Sequence, residues 1–265
     1  MVATRIYTRP PYYGIYYPFL IVNAYYDWSL YLVGDKTLSV IVDSGVFQIF
    51  ARRGLKEYPT GWARWVDKVA EFARAARGRG AREVWAVAPD YPADYLGNPI
   101  HDNVERTVRN AEYALDAHPD LGWILPLQGR PERPSSVLAC LREMRERGLL
   151  DKVEYVAIAP SCTARSPAYL RTLARSVRVE LPDKRIHMFG VTMSAWPEVE
   201  PYVDSVDSIV TNWWCKPLIG RMCSKREEKL LAWREFLRRV EPYLAKELGL
   251  LSGLEGEVVE VGARG

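Results

Sequence analysis

The chain has 265 residues, 48% of them hydrophobic, and 36 Lys and Arg against 33 Asp and Glu give a formal net charge of +3. That length and apolar content suit one large α/β domain, and the charge is too mild to require a polyanionic partner while leaving one admissible. Cysteines at 140, 162, 215 and 223 include no C-x-x-C pair, so neither a structural zinc nor a disulfide framework is expected. The N-terminus lacks a basic start followed by an apolar stretch and a small-residue cleavage site, and no clean membrane span occurs; a cytoplasmic protein is expected. Gln48 and Gln128 are the only glutamines and arginine is abundant, the composition of a heat-adapted protein.

Apolar runs alternate with helical patterns. Phe19–Ala24 opens the series and Leu38–Val42 follows. The stripe Trp62, Trp65, Val66, Val69, Phe72 and Ala73 then has helical spacing. Glu83–Ala88 reads as a strand, and Val104, Val108, Ala111 and Ala114 as the next helix face. Trp123–Leu127 is a strand, followed by a helix carrying Val137, Leu141 and Met144, with Pro134, Ser135 and Ser136 suiting its start and Gly148 its stop. Val153–Ile158, Arg185–Val191 and Ser205–Val210 complete seven strands; an eighth has no clear place. The segment 224–248 reads as a long basic amphipathic helix, with Leu230, Leu231, Trp233, Phe236, Leu237, Val240 and Leu244 on its apolar face, and Pro242 is expected to kink or end it.

Strand and helix alternating in units of about thirty to forty residues imply a parallel sheet with crossover helices. Seven or eight strands favour a single-domain α/β fold, a (β/α)8 TIM-type barrel over residues 1–250 with a tail over 251–265; an open doubly wound sheet is the alternative. No G-x-G-x-x-G or G-x-x-x-x-G-K-S/T motif supports a nucleotide-cofactor fold. No cofactor and no metal are expected.

In such a barrel the chemistry sits where strands end. The residues there are Asp43, Asp90, Gln128, Ala159 to Ser161, Gly190 and Asp207. His101, His118 and His187 lack a metal-binding spacing, His187 reads as a packed, hydrogen-bonded residue, and no G-x-S-x-G elbow marks a serine nucleophile. Paired carboxylates suit glycosidic-bond chemistry, one attacking or stabilising the anomeric carbon and the other moving a proton. A further Asp with a Gln suits reading a base edge.

Five segments then resemble, in order, those of the tRNA-guanine transglycosylases. Asp43-Ser44-Gly45-Val46-Phe47-Gln48 is similar to D-S-G-G-F-Q, Ala88-Pro89-Asp90 to A-F-D, and the helix 104–111 to E-R-S-x-R-W-A. Leu127-Gln128-Gly129 is similar to V-Q-G, and the run 203–210 to G-I/V-D-x-F-D-C-V. The resemblance implies base exchange through a covalent Asp-glycosyl intermediate. Asp207 would be the nucleophile, with Asp204 as a competing candidate, and Asp43 the general acid/base. Asp90, Gln128, Phe47, Ser44, Ala159, Ser161 and Gly190 would bind the base. Trp213, Trp214, Lys216 and Arg221 would contact nucleic acid.

Three departures stand out. Val46 replaces a glycine, Ala159-Pro160 stands where the family has Gly-Gly, and Thr211-Asn212-Trp213-Trp214 replaces P-T-R. The family's zinc subdomain is absent. The resemblance is therefore closer to the smaller branch that places a 7-deazaguanine such as preQ0 in DNA, with a tRNA enzyme, a silent nucleic-acid-binding or partner subunit, and a base-releasing hydrolase as alternatives. The implied partners are DNA or tRNA and a free 7-deazaguanine base, with no membrane; a homodimer is compatible.

Overall fold

The computed structural model describes residues 5–97, 99–161, 164, 166–192, 195–207, 215 and 218–251. Eight strands form one parallel sheet: β1 (Arg5–Tyr7), β2 (Phe19–Asn23), β3 (Ser39–Asp43), β4 (Glu83–Val87), β5 (Gly122–Leu127), β6 (Tyr155–Ile158), β7 (Arg185–Met188) and β8 (Ser205–Asp207). Their order is β1-β8-β7-β6-β5-β4-β3-β2. A parallel bridge between Thr8 and Leu20 closes the ring. There the Thr8 N–H donates to Phe19 O at 3.1 Å and the Ile21 N–H to Thr8 O at 3.1 Å. This is a single-domain (β/α)8 barrel, as the strand–helix alternation predicts.

The eighth strand is the one the sequence left unplaced. β1 is three residues long and begins on Arg5, so no apolar run announces it. Tertiary pairing with β8 makes it a strand, through Arg5–Ser205, Ile6–Val206 and Tyr7–Asp207. β2, β3, β5 and β6 are largely apolar runs because a parallel barrel covers both of their faces. Val40, Ile41 and Val42 of β3 are fully buried, as are Ile124, Leu125 and Leu127 of β5.

The crossovers are α1 (Trp62–Gly78), α2 (Ala93–Leu96), α3 (Ile100–Ala117), α4 (Pro134–Glu146), α5 (Pro167–Glu180) and α6 (Trp196–Val199); α7 (Arg226–Leu251) follows β8. α1 buries Trp65, Val66, Val69, Ala70, Phe72, Ala73 and Ala76, the three-and-four spacing of a helix laid on a sheet. α5 starts with Ser166, whose side chain accepts from the Tyr169 N–H, and Pro167 at its first turn.

Two expectations are corrected. α7 does not end at Pro242 but runs on to Leu251. Val240 before the proline is buried, and Tyr243 after it packs its ring edge-on to Trp196 at 5.4 Å, so packing on both sides offsets the missing hydrogen bond. Leu231 of its expected apolar face is 49% exposed. Second, Cys215 and Cys223 form a disulfide with Cα atoms 5.2 Å apart. Their spacing fits no zinc or framework pattern; the fold, rather than the sequence, brings them together. Among the described residues no helix is long and apolar enough to cross a membrane.

Candidate active site

The strands deliver their last polar residues to one end of the ring. Asn23 and Asp43 end β2 and β3 and are register partners. The Asn23 side-chain amide donates to Asp43 Oδ2 at 2.5 Å and to Gln48 Oε1 at 2.9 Å. Its Oδ1 accepts from the Tyr25 N–H at 2.9 Å. Asn23 therefore has both ends of its amide committed and fixes the Asp43 carboxylate from one side. The Gly45 N–H approaches Asp43 Oδ1 at 3.3 Å from the turn. Gly45 has φ +84°, and a side chain there would meet Tyr25 Cβ at 2.8 Å and Asn23 Oδ1 at 3.0 Å.

Asp43 is pushed up to about 6, by burial foremost. The bond from Gly45 acts against this, the charge of Asp207 adds to it, and Asn23 and Arg9 draw it back. Two carboxylates that end β3 and β8, with β1 and β2 between them in the ring, thus feel one another. Asp207 ends β8 and is 9% exposed. Its Oδ1 accepts from the Gly190 N–H at 2.9 Å and lies 3.2 Å from His187 Nε2.

Asp90 and Gln128 form a second pair, the Gln128 amide donating to Asp90 Oδ2. The loop holding Asp90 is tied at three successive residues. Asn110 donates to Pro89 O at 2.8 Å, Tyr58 donates to Asp90 O at 2.6 Å, and the Tyr91 N–H donates to Thr107 Oγ1 at 3.0 Å. Thr107 and Asn110 lie one turn apart on α3, so the helix presents two polar side chains where the loop needs partners. Gln128 Oε1 and Ser44 Oγ are buried with no hydrogen-bond partner among the described residues.

The sequence-derived residues divide accordingly. Asp43, Asp207, Asp90, Gln128 and Ser44 all lie at strand ends or just beyond them. Phe47 is 41% exposed in a π-helical turn, Phe47–Arg52, with the Arg52 guanidinium 5.5 Å from its ring centre. Ser161 serves the scaffold: its Oγ lies 2.6 Å from Phe189 O and 2.9 Å from Ile158 O, stapling β6 to β7. The Ala159 N–H donates to Leu127 O at 3.3 Å. Gly190 acts through its N–H on Asp207. Asp204 stands at the opposite end of β8, ion-paired with Arg178, and its Oδ2 accepts from the Ile186 N–H at 2.7 Å. That placement removes it as a rival to Asp207.

Arg221 pairs with Glu228 in the first turn of α7. Glu228 also accepts from the N–H groups of Ser224 and Lys225 at 2.9 and 3.1 Å, so the pair caps the helix. Trp213, Trp214, Lys216, Cys162 and the tail after 251 lie outside the described residues.

Sequence reading missed Asn23 and the link between His187 and Asp207. Asn23 ends the first clear apolar run, and a carboxamide closing a buried strand was the available signal. The other histidines serve elsewhere: His118 bonds Asp67 at 2.9 Å, and His101 pairs with Asp102 at 2.7 Å. Burial pushes the Cys140 thiol up to about 12, and its sulfur accepts from the Gln128 N–H at 3.3 Å, a packing role without thiolate character. Among the described residues no group of three or more His, Cys, Asp or Glu side chains is placed to hold a metal ion. A cleft of about 340 Å³ lies between α3 and α4, lined by residues such as His101, Glu105 and Arg147, away from the strand-end carboxylates.

No family model matches the chain, and no curated protein is similar to it. Among solved structures, it is similar to the HMG-CoA lyase from Brucella melitensis at 15% identity and a TM-score of 0.40, over 78% of this chain and 68% of that one. 2,3-Dimethylmalate lyase, of the PEP mutase/isocitrate lyase superfamily, gives 16% and 0.39 over 85% and 65%. The carboxyl transferase domain of Rhizobium etli pyruvate carboxylase with 3-bromopyruvate gives 16% and 0.37 over 70% and 35%. The chain spans about a third of that last structure. Likenesses this low carry no activity over to this chain.

These structures are lyase and carboxyl-transferase barrels, none of them is a guanine transglycosylase, and no family model supplies that assignment. The expected transglycosylase, with its 7-deazaguanine or preQ0 base, its DNA or tRNA substrate and its covalent glycosyl intermediate, is corrected accordingly. The geometry supplies a physical reason for caution with the motif match. Asp90 and Gln128 are hydrogen-bonded to each other, so they are not two separate readers of a base edge, and the Ala159 N–H is spent on β5. Short strand-end motifs of Asp, Ser and Gly arise in any barrel that turns sharply after a strand.

Proposed function

We propose that the protein is an enzyme that moves protons with carboxyl groups at the C-terminal mouth of its barrel. Asp43 is the acid–base group. Asp207 is the facing carboxylate, oriented by Gly190 and His187 and suited to stabilising positive charge on a reacting molecule. Gln128 Oε1 and Ser44 Oγ, both buried and without a partner among the described residues, are the groups that would bond a substrate admitted to the site. That substrate is a small polar molecule with at least one N–H or O–H donor for Gln128.

One observation carries this reading: Asp43 and Asp207 end separate strands, β3 and β8, at the same mouth of the barrel, where the charge of Asp207 adds to the rise that burial gives Asp43. Environments that set two carboxyl groups apart are the usual arrangement for acid–base work near neutral pH. Barrels concentrate such groups at this face because loop residues there vary without disturbing the packed strands.

The test is exchange and turnover in D2O across a panel of small hydroxy, amino and amide compounds, followed by NMR. The expected result is a compound whose exchange or conversion falls by about 10²- to 10⁴-fold in Asp43→Asn, the usual worth of a positioned acid–base group. Turnover at the wild-type rate in Asp43→Asn and Asp207→Asn, each folded, would overturn the reading.

A further inference from the structure

A chain of polar side chains runs through the barrel interior behind Asp207. His187 of β7, Ser205 of β8 and Tyr155 of β6 are each fully buried. His187 Nε2 lies 3.2 Å from Asp207 Oδ1, His187 Nδ1 lies 2.6 Å from Ser205 Oγ, and Ser205 Oγ in turn bonds the Tyr155 hydroxyl. The strand register sets this up, since His187 and Ser205 are direct partners across β7 and β8. Three strands contribute one group each, in a layer where barrels ordinarily place branched aliphatics. Each buried polar group left unpaired would destabilise the fold. All three are paired, and in series, so the row ends on the carboxylate.

For a neutral imidazole, proton counting fixes the direction of the chain. A carboxylate only accepts, and Asp207 Oδ1 already takes the Gly190 N–H. His187 must therefore present Nε2–H to it, and the neutral ring then keeps a lone pair on Nδ1. Ser205 has one hydroxyl proton, and it goes to that lone pair. The Ser205 oxygen then accepts from Tyr155, whose phenol is pushed well above its ordinary range, chiefly by burial, and so keeps its proton. The reverse order would aim the Nε2 lone pair at the carboxylate and require a proton on Asp207. The edge of Phe189 at 4.6 Å and that of Tyr7 at 6.0 Å confine the imidazole, so it cannot turn to another partner.

We propose that His187 is a positioning residue for Asp207, held in its Nε2–H tautomer from behind by Ser205 and Tyr155. The functional part of this rests on the reading of Asp207 as a working carboxylate; the tautomer does not. The oriented donor plays the part that a carboxylate plays behind a ligating or catalytic histidine, with the roles exchanged.

Two measurements on the whole chain test it. The first is two-bond ¹⁵N–¹H NMR of the imidazoles at neutral pH, with His187 assigned by its loss in His187→Gln. The Nε2–H pattern is expected, and Ser205→Ala should convert a measurable fraction to Nδ1–H or to the doubly protonated ring. A wild-type Nδ1–H or doubly protonated ring, or a tautomer untouched by Ser205→Ala, would overturn the proposal.

The second measurement is the ¹³C carboxyl chemical shift of Asp207 in two variants. His187→Gln returns an N–H near the position of Nε2, whereas His187→Leu fills the space without a donor. The resonance should move in the leucine variant, which has lost the N–H to the carboxylate, and return towards wild type in the glutamine variant. Equal shifts in wild type and both variants would overturn it, and a residue that only packed would give that result. Full turnover in Asp207→Asn, by contrast, would remove the acid–base reading and leave the tautomer result standing.

Discussion

At the scale of single residues, the decisive contrast is between two carboxylates with different surroundings. Asp207 receives the Gly190 N–H at 2.9 Å, while Asp43 is pushed up to about 6 by burial and by Asp207 itself. Folding therefore favours the neutral carboxyl of Asp43, and the folded chain takes up a proton between about pH 4 and pH 6. Stability from this group is present in full below the unfolded pKa and is lost as pH rises through 6. Asp43→Asn should remove that loss. Compared with wild type, the variant should gain stability between pH 4 and pH 8, by at most about 3 kcal/mol at 1.36 kcal/mol per pKa unit. Denaturant melts at the two pH values measure it; an identical pH dependence in the two proteins would show that Asp43 carries an ordinary carboxyl. A second residue-scale prediction concerns Tyr58, whose hydroxyl donates to Asp90 O at 2.6 Å. Tyr58→Phe should cost about 1 kcal/mol, more if Asp90 O is left buried and unpaired, and should weaken ligand binding with little change in the rest of the fold.

At the scale of elements, the site is held by a few close approaches between strand ends and helix starts. Gly129 follows Gln128 and lies against the first turn of α4. A side chain at 129 would meet Val137 Cγ2 at 2.4 Å and the Val137 backbone nitrogen at 2.8 Å. The backbone cannot yield as a side chain does, so Gly129→Ala should push α4 from β5 at a cost of about 1–3 kcal/mol. The melting temperature should fall by about 2–4 °C per kcal/mol, with Gln128 displaced from Asp90. A variant that melts with wild type would mean that this turn tolerates more space than its contacts imply. The same elements explain what was legible in advance. Strands β2 to β8 and helices α1, α3 and α4 announce themselves because burial on one face or two imposes a period on the sequence. The polar pair of Thr107 and Asn110 was not legible. Threonine and asparagine on a helix read as solvent-facing until the loop they satisfy is seen beside them. The link from His187 to Asp207 has the same character, because it depends on the register of two strands and not on the spacing of residues in the chain.

At the scale of the whole molecule, the parts that escape sequence reading are those that close it. The ring is completed by a three-residue strand and a single bridge at Thr8, and the last helix is moored by a disulfide between residues that share no recognisable spacing. α7 lays Trp233, Phe236 and Val240 against the barrel, with the Trp233 and Phe236 rings 5.7 and 5.6 Å from that of Tyr17. The Cys215–Cys223 bond stands between this helix and Asp207 at the end of β8. Its loop has a sequence separation of 8. Closing a loop of that length removes enough freedom from the unfolded chain to contribute about 2.5 kcal/mol. Cys223→Ser should therefore lower the melting temperature by about 5–10 °C, taking 2–4 °C per kcal/mol for a domain of this size. A thiol reductant should bring wild type down to the same value and leave the variant unchanged. Calorimetry with and without reductant gives the four melting temperatures needed. If reductant lowers the variant as well, the loss comes from somewhere other than this bond. If it lowers neither, the packing of α7 on Tyr17 holds the end of the barrel without the covalent link.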